Sequence, residues 1–123
     1  MAARRAICYH QFMAILKVEN TEQMFDLKDR VEHVLGRLDE PSKSFPDIDL
    51  EPYGGRDAGV SRQHAKLIQF GNGLNYIVDL SSTNGTSING EPVEPLRHAR
   101  LQDGDKLELG DLRLIFIEQS ADE

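Results

Sequence analysis

Short runs in which apolar and polar residues alternate, cut by Gly, Pro, Asn or Asp, dominate the chain after residue 13. Few segments keep a helical period long enough to compete, so strands are the predicted elements. Ala14, Leu16 and Val18 fall on one face of a first run, and Phe25 and Leu27 on one face of the next. Val34 to Leu38 forms a third run, and Ile48 and Leu50 flank Asp49 in a brief fourth. The stretch 65–70 meets Gly71-Asn72-Gly73, which predicts a hairpin. Its return strand is read with Leu74, Tyr76, Val78 and Leu80 on one face and Asn75 and Asp79 on the other, leaving Ile77 out of pattern. Asn89-Gly90 suits the positive φ angles of a tight hairpin, and Asp103-Gly104 and Gly110-Asp111 are further turns. Leu107 and Leu109, then Leu112, Leu114 and Phe116, give the last two strands their inner face. Many short strands in one domain predict an all-β fold, a two-sheet antiparallel sandwich.

A chain of 123 residues buries one continuous core without a metal or disulfide framework. Its one cysteine, Cys8, excludes an internal disulfide, so the expected compartment is the reduced cytoplasm. Residues 1–13 read as a disordered lead, a short helix or a linker, residues 14–117 as the domain, and 118–123 as a tail. Between Asp39 and Val60 three prolines and three glycines predict an irregular surface loop around the Ile48 strand. The formal net charge of -7 argues against nucleic acid, whose phosphates demand a broad basic surface, and against a membrane surface. A small cationic pocket survives that argument, because charges more than about 8 Å apart are screened at physiological salt.

Three clusters fall at predicted strand ends or loops: Gly36-Arg37, Ser61-Arg62-Gln63-His64 and Ser82-Thr83-Asn84-Gly85-Thr86. Arginine offers a planar fork of N–H donors to phosphate oxygens, and a neighbouring serine hydroxyl donates one more hydrogen bond. An asparagine amide both donates and accepts, so it can pair with the main chain of an extended peptide whatever that peptide's side chains. Taken alone, Arg37 is a surface arginine pairing with an acid such as Asp39, and Ser82-Thr83-Asn84-Gly85 is an ordinary turn.

Taken in order, the motifs say more. Val34-Leu35-Gly36-Arg37, Val60-Ser61-Arg62-Gln63-His64-Ala65, Tyr76-Ile77-Val78-Asp79-Leu80, Ser82-Thr83-Asn84-Gly85-Thr86 and the closing Leu101 to Gly110 segment resemble, in type and succession, the forkhead-associated (FHA) family. The resemblance spans roughly residues 14 to 117. It implies a sandwich with recognition loops at one end that binds a phosphothreonine-containing protein or peptide in a serine/threonine kinase pathway. It also implies roles: Arg37 on the phosphate, Ser61 hydrogen-bonded to it, Arg62 on phosphate or nearby peptide, and Thr83 and Asn84 on the peptide backbone. His64 is implied to be structural, and Gly36 and Gly85 to permit tight backbone geometry. Family members with arginine two residues before the motif serine are not matched, because Gly59 stands there.

Ser61 and His64, three residues apart with no nucleophile elbow and no third group, do not make a catalytic triad, so no enzyme activity is expected. The four histidines and Cys8 lack zinc-ligand spacing, Asp103-Gly104-Asp105 lacks the further oxygens of a calcium loop, and no nucleotide-binding loop occurs, so no metal or cofactor is expected. The alternative to a phosphopeptide adaptor is a phosphate-independent assembly domain that self-associates through a strand edge.

Overall fold

The alternation expected of half-buried strands is met where the chain first becomes regular: Ala14, Leu16 and Val18 are buried while Ile15, Lys17 and Glu19 are partly exposed between them. The structure is a computed structural model and describes residues 12–27, 31–70 and 74–120. Residues 1–11, 28–30 and 121–123, and Gly71-Asn72-Gly73 where the hairpin turn is expected, lie outside the described residues. The described residues form eleven strands: β1 (Phe12–Val18), β2 (Met24–Asp26), β3 (Glu32–Gly36), β4 (Ile48–Asp49), β5 (Gln63–Gln69), β6 (Asn75–Asp79), β7 (Thr86–Ile88), β8 (Glu91–Pro92), β9 (His98–Leu101), β10 (Lys106–Leu109) and β11 (Leu112–Ser120). They make two sheets, a six-stranded one in the order β2-β1-β11-β10-β7-β8 and a five-stranded one in the order β4-β3-β5-β6-β9. Described pairs are antiparallel except β3 with β4, which run parallel because the long 37–47 loop returns the chain to the start of the sheet edge.

Turn chemistry fixes register. Asn89 and Gly90, at φ 52° and 87°, join β7 to β8 with Ile88 opposite Glu91. Both positive angles are those that a two-residue hairpin turn requires. The turn at Gly110-Asp111 sets Leu109 opposite Leu112 and Leu107 opposite Leu114. Leu107, Leu109, Leu114 and Phe116 are thereby inside with Leu16, Leu35, Leu67, Ile77 and Leu101, all fully buried. Each such side chain contributes roughly 1.5–3 kcal/mol by leaving water.

Two expectations are corrected. The third run was read as Val34 to Leu38, but the strand is Glu32–Gly36, with a register shift at Leu35/Gly36 and Leu38 exposed. On β6 the face bearing Asn75, Ile77 and Asp79 is fully inside, while of the apolar set on the other face Leu74 is exposed, Tyr76 partly so and Val78 buried. Pairing decides this, because Ala65 and Leu67 of β5 are fully buried and stand opposite Asp79 and Ile77. The buried polar groups are satisfied, Asn75 donating to Glu118 at 3.0 Å and Asp79 accepting from its own loop.

Candidate functional site

Three connections meet at one end of the sandwich: the loop after β3, the segment 54–62 before β5, and the β6–β7 loop, residues 80–85. Their joining begins at Gly36. A Cβ at that position would lie 1.9 Å from the Arg62 carbonyl oxygen, so only glycine lets β3 approach the chain entering β5 this closely. The same carbonyl accepts the Arg37 N–H at 3.0 Å and the hydroxyl of buried Ser44 at 3.2 Å.

Arg37 leaves the end of β3 with its Nε donating to the Val60 carbonyl at 2.8 Å. Its two Nη groups have no hydrogen-bond or ion-pair partner among the described residues. The guanidinium is thus anchored at one nitrogen and open at the other two, a fork held ready for an anion. Asp39, weighed above as its partner, lies instead against Arg62, with Oδ2 at 3.4 Å from Nε.

Ser61 is oriented by its neighbours. Its Oγ accepts the Thr83 N–H at 3.1 Å, which leaves the hydroxyl hydrogen free to donate outward. Its own N–H donates to His64 Nδ1 at 2.9 Å, and His64 Nε2 lies 2.9 Å from the Gly85 carbonyl. A ring nitrogen that accepts an N–H carries no proton, so His64 is the neutral tautomer with Nε2–H donating to Gly85. Burial pushes the imidazole below its ordinary pKa, against the opposing pull of the Gly85 carbonyl and the Asp79 charge. This fully buried ring ties the serine segment to the β6–β7 loop.

That loop is held from beneath by Asp79. Its Oδ1 accepts the Ser82 hydroxyl at 2.5 Å and the Thr86 hydroxyl at 2.7 Å, and its Oδ2 accepts the Ser82 N–H at 3.1 Å. Ser82 Oγ in turn accepts the Gly85 N–H at 3.0 Å. Burial would raise the Asp79 carboxyl, but the hydrogen bonds from Ser82 and Thr86 outweigh it and hold the group below the usual carboxylate range. Gly85, at φ 84°, takes a conformation that a side chain would strain. Asn84 then reaches across to the serine segment, Nδ2 donating to the Gly59 carbonyl at 2.9 Å, which leaves its amide oxygen exposed.

All five candidate contact residues, Arg37, Ser61, Arg62, Thr83 and Asn84, therefore stand on these adjoining loops, with Gly36, His64 and Gly85 joining the loops to one another. Arg56 is exposed, its N–H bonded to Glu51. Sequence reasoning missed Asp79, placed on the wrong face of β6. The signal for it was an aspartate three residues before Ser82, the spacing at which a side chain bonds a turn. It also missed what restricts position 59 to glycine. Gly59 has φ 86°, and a Cβ there would sit 2.5 Å from Asn84 Nδ2, so a larger residue would displace Asn84.

Comparison with known proteins agrees with this geometry. The family model for the FHA domain matches residues 33–110. The glycogen accumulation regulator GarA of Mycolicibacterium smegmatis is 40% identical over 83 residues, covering 65% of this chain and 48% of that protein. The chain spans about half or less of the length of curated relatives that it matches. A structure solved in a study of phosphothreonine-dependent FHA domain interactions is 27% identical, with a TM-score of 0.67 over 85% of this chain and 95% of that one. Mycobacterium tuberculosis EmbR, solved with a low affinity phosphopeptide, is 28% identical, with a TM-score of 0.69 over 85% of this chain and 24% of that one. With the matched segment covering well over half of its length, the chain belongs to the FHA domain family.

Proposed function

We propose that this chain is a phosphothreonine-peptide-binding adaptor module, recruiting a partner in serine/threonine kinase signalling. The observation that carries the reading is the Arg37 fork, fixed through Nε to Val60 and open at both Nη groups, beside a Ser61 hydroxyl whose oxygen is already engaged. Arg37 binds the phosphate, Ser61 donates to it, and Arg62 adds positive charge at its edge. Thr83 and the Asn84 amide oxygen face the peptide main chain, so an extended segment binds irrespective of most of its side chains. A phosphothreonine brings about −1.5 to −2 charges and three acceptor oxygens. Each hydrogen bond to a charged group is worth about 1.5–3 kcal/mol, so two or three separate micromolar binding from none.

The site has no catalytic role. His64 takes the Ser61 main-chain N–H on one nitrogen and the Gly85 carbonyl on the other, so no general base faces the serine hydroxyl. Among the described residues no helix is long and apolar enough to cross a membrane, and a cytoplasmic setting fits a kinase-linked partner.

The test is a titration of wild type and Arg37→Ala against an array of phosphothreonine peptides with unphosphorylated and phosphoserine counterparts. Binding is expected to need phosphate, prefer threonine and fall at least about tenfold in the variant, the loss of one charge-assisted bond. A folded protein that bound no phosphopeptide, or bound equally after Arg37→Ala, would leave phosphate-independent assembly as the better account.

A further inference from the structure

The anion position beside Arg62 is already claimed by the protein itself. Asp39 Oδ2 lies 3.4 Å from Arg62 Nε, and the same oxygen accepts the Ser42 hydroxyl at 2.6 Å and the Ser42 N–H at 3.3 Å. The main chain on either side is pinned by two hydrogen bonds, Asp39 N–H to Ser44 and Ser44 N–H to Asp39, at 3.0 and 2.9 Å. The carboxylate is therefore a fixed feature, its side chain 18% exposed, while the Arg62 side chain is 53% exposed and free to swing. Hydrogen bonding from Ser42, assisted by the charges of Arg62 and Arg37 and opposed by slight burial, keeps Asp39 ionised below the ordinary carboxylate range.

Resting on the phosphopeptide reading above, we propose that Asp39 is an internal competitor for the incoming phosphate, occupying Arg62 in the empty site and setting the threshold that a ligand's charge must exceed. A carboxylate replacing Asp39 on Arg62 exchanges one monoanion for another and gains little. A phosphate dianion carries about twice that charge and three acceptors, so it draws Arg62 away from Asp39 and retains a net gain. The displacement cost is common to every anion that takes Arg62, so it lowers all affinities and sets a threshold that the larger gain of a phosphate dianion clears and a carboxylate of an aspartate- or glutamate-containing segment does not. The groups facing the Asp39 carboxylate are Ser42 on its own loop, Arg62 on the segment entering β5, and Arg37 at the end of β3.

Asp39→Asn keeps an oxygen acceptor for Ser42 while removing the charge, and Asp39→Ser removes the acid altogether should the amide rearrange the loop. The probe is a pooled peptide library with one fixed phosphothreonine, alongside its unphosphorylated counterpart, titrated at pH 7.5 and pH 5. Either variant is expected to bind the phosphorylated pool about threefold to tenfold more tightly at pH 7.5, the gain from removing one opposing charge at the edge of a dianion's site. Near pH 5 the phosphate falls towards a monoanion, its second pKa being about 6, and the advantage shrinks to roughly its square root. The ratio of variant to wild type cancels the effect of any other titrating group that both share. Phosphate-dependent binding that is unchanged or weakened in both variants overturns the competitor role alone, making Asp39 a positioning residue for Arg62. Equal binding of both pools by wild type instead removes the phosphopeptide reading on which the competitor role stands.

Discussion

At the scale of single residues, the site depends on protonation states that hydrogen bonds impose. His64 is neutral because the Ser61 N–H occupies Nδ1, and protonating that nitrogen would set two donors against each other in a fully buried place. Its folded pKa lies below the ordinary 6.5, so the unfolded chain binds the extra proton first. The stability His64 contributes is fully present above about pH 6.5 and is lost as pH falls towards its lowered folded value. Urea unfolding from pH 8 to 5 is expected to show this decline, and His64→Gln, which keeps one donor and one acceptor without a titrating ring, is expected to lack that share of it. At pH 8 the same variant costs about 1–3 kcal/mol, because an amide cannot place its donor and acceptor where both ring nitrogens stood and one buried hydrogen bond is left unmade. Identical pH profiles for the two proteins would remove His64 as the source. The sequence reading expected a structural histidine at His64, since Ser61 three residues away offered no triad, but it could not give the tautomer, which follows from the Ser61 main-chain N–H at Nδ1 and leaves Nε2–H for the Gly85 carbonyl 21 positions away.

At the scale of elements, legibility followed how one-sided a strand's burial is. In β1, β10 and β11 burial alternates residue by residue, with Ala14, Leu16 and Val18, Leu107 and Leu109, and Leu114 and Phe116 inside as read from sequence. β6 lies between β5 and β9 and buries an apolar residue on each face, Ile77 on one and Val78 on the other, so periodicity alone had no means of choosing. The choice was made by pairing with β5, and it carried Asp79 into position beneath the recognition loop. The end of β3 was likewise set by a contact distant in sequence, the approach of Gly36 to Arg62. Gly36→Ala puts a methyl where the Arg62 carbonyl stands, so the seam between β3 and the segment entering β5 must open. Overpacking of this kind costs typically 1–3 kcal/mol, roughly the expected loss in unfolding free energy. Because Arg37 and Ser61 sit on opposite sides of that seam, phosphopeptide affinity is expected to fall more than tenfold even at temperatures where the variant is folded, a displacement of about 1 Å being enough to misalign several charged hydrogen bonds. A variant that kept full affinity would show that the two sides of the site are positioned independently of one another.

At the scale of the whole molecule, two fields of opposite sign act on an arriving phosphopeptide. The formal net charge is -7, while the site itself presents Arg37 and Arg62. The family and its fold were legible in the sequence because motif order survives any error in a single strand. Which field governs encounter was not, since it depends on the distance over which each acts. At 0.01 M ionic strength the Debye length is about 30 Å, comparable to a small domain, and the net charge repels the peptide from every direction. At 0.15 M it is about 8 Å, so the distant acids are screened while the arginines still act on a phosphate within contact range. Association is therefore expected to speed up as salt rises over this interval, the reverse of a basic nucleic-acid-binding surface, whereas dissociation also quickens because the local charge-assisted bonds weaken. Stopped-flow measurement of a fluorescent phosphothreonine peptide binding at several ionic strengths separates the two rates. An association rate that falls with salt would mean that the arginine pair, and not the acidic body behind it, steers the encounter.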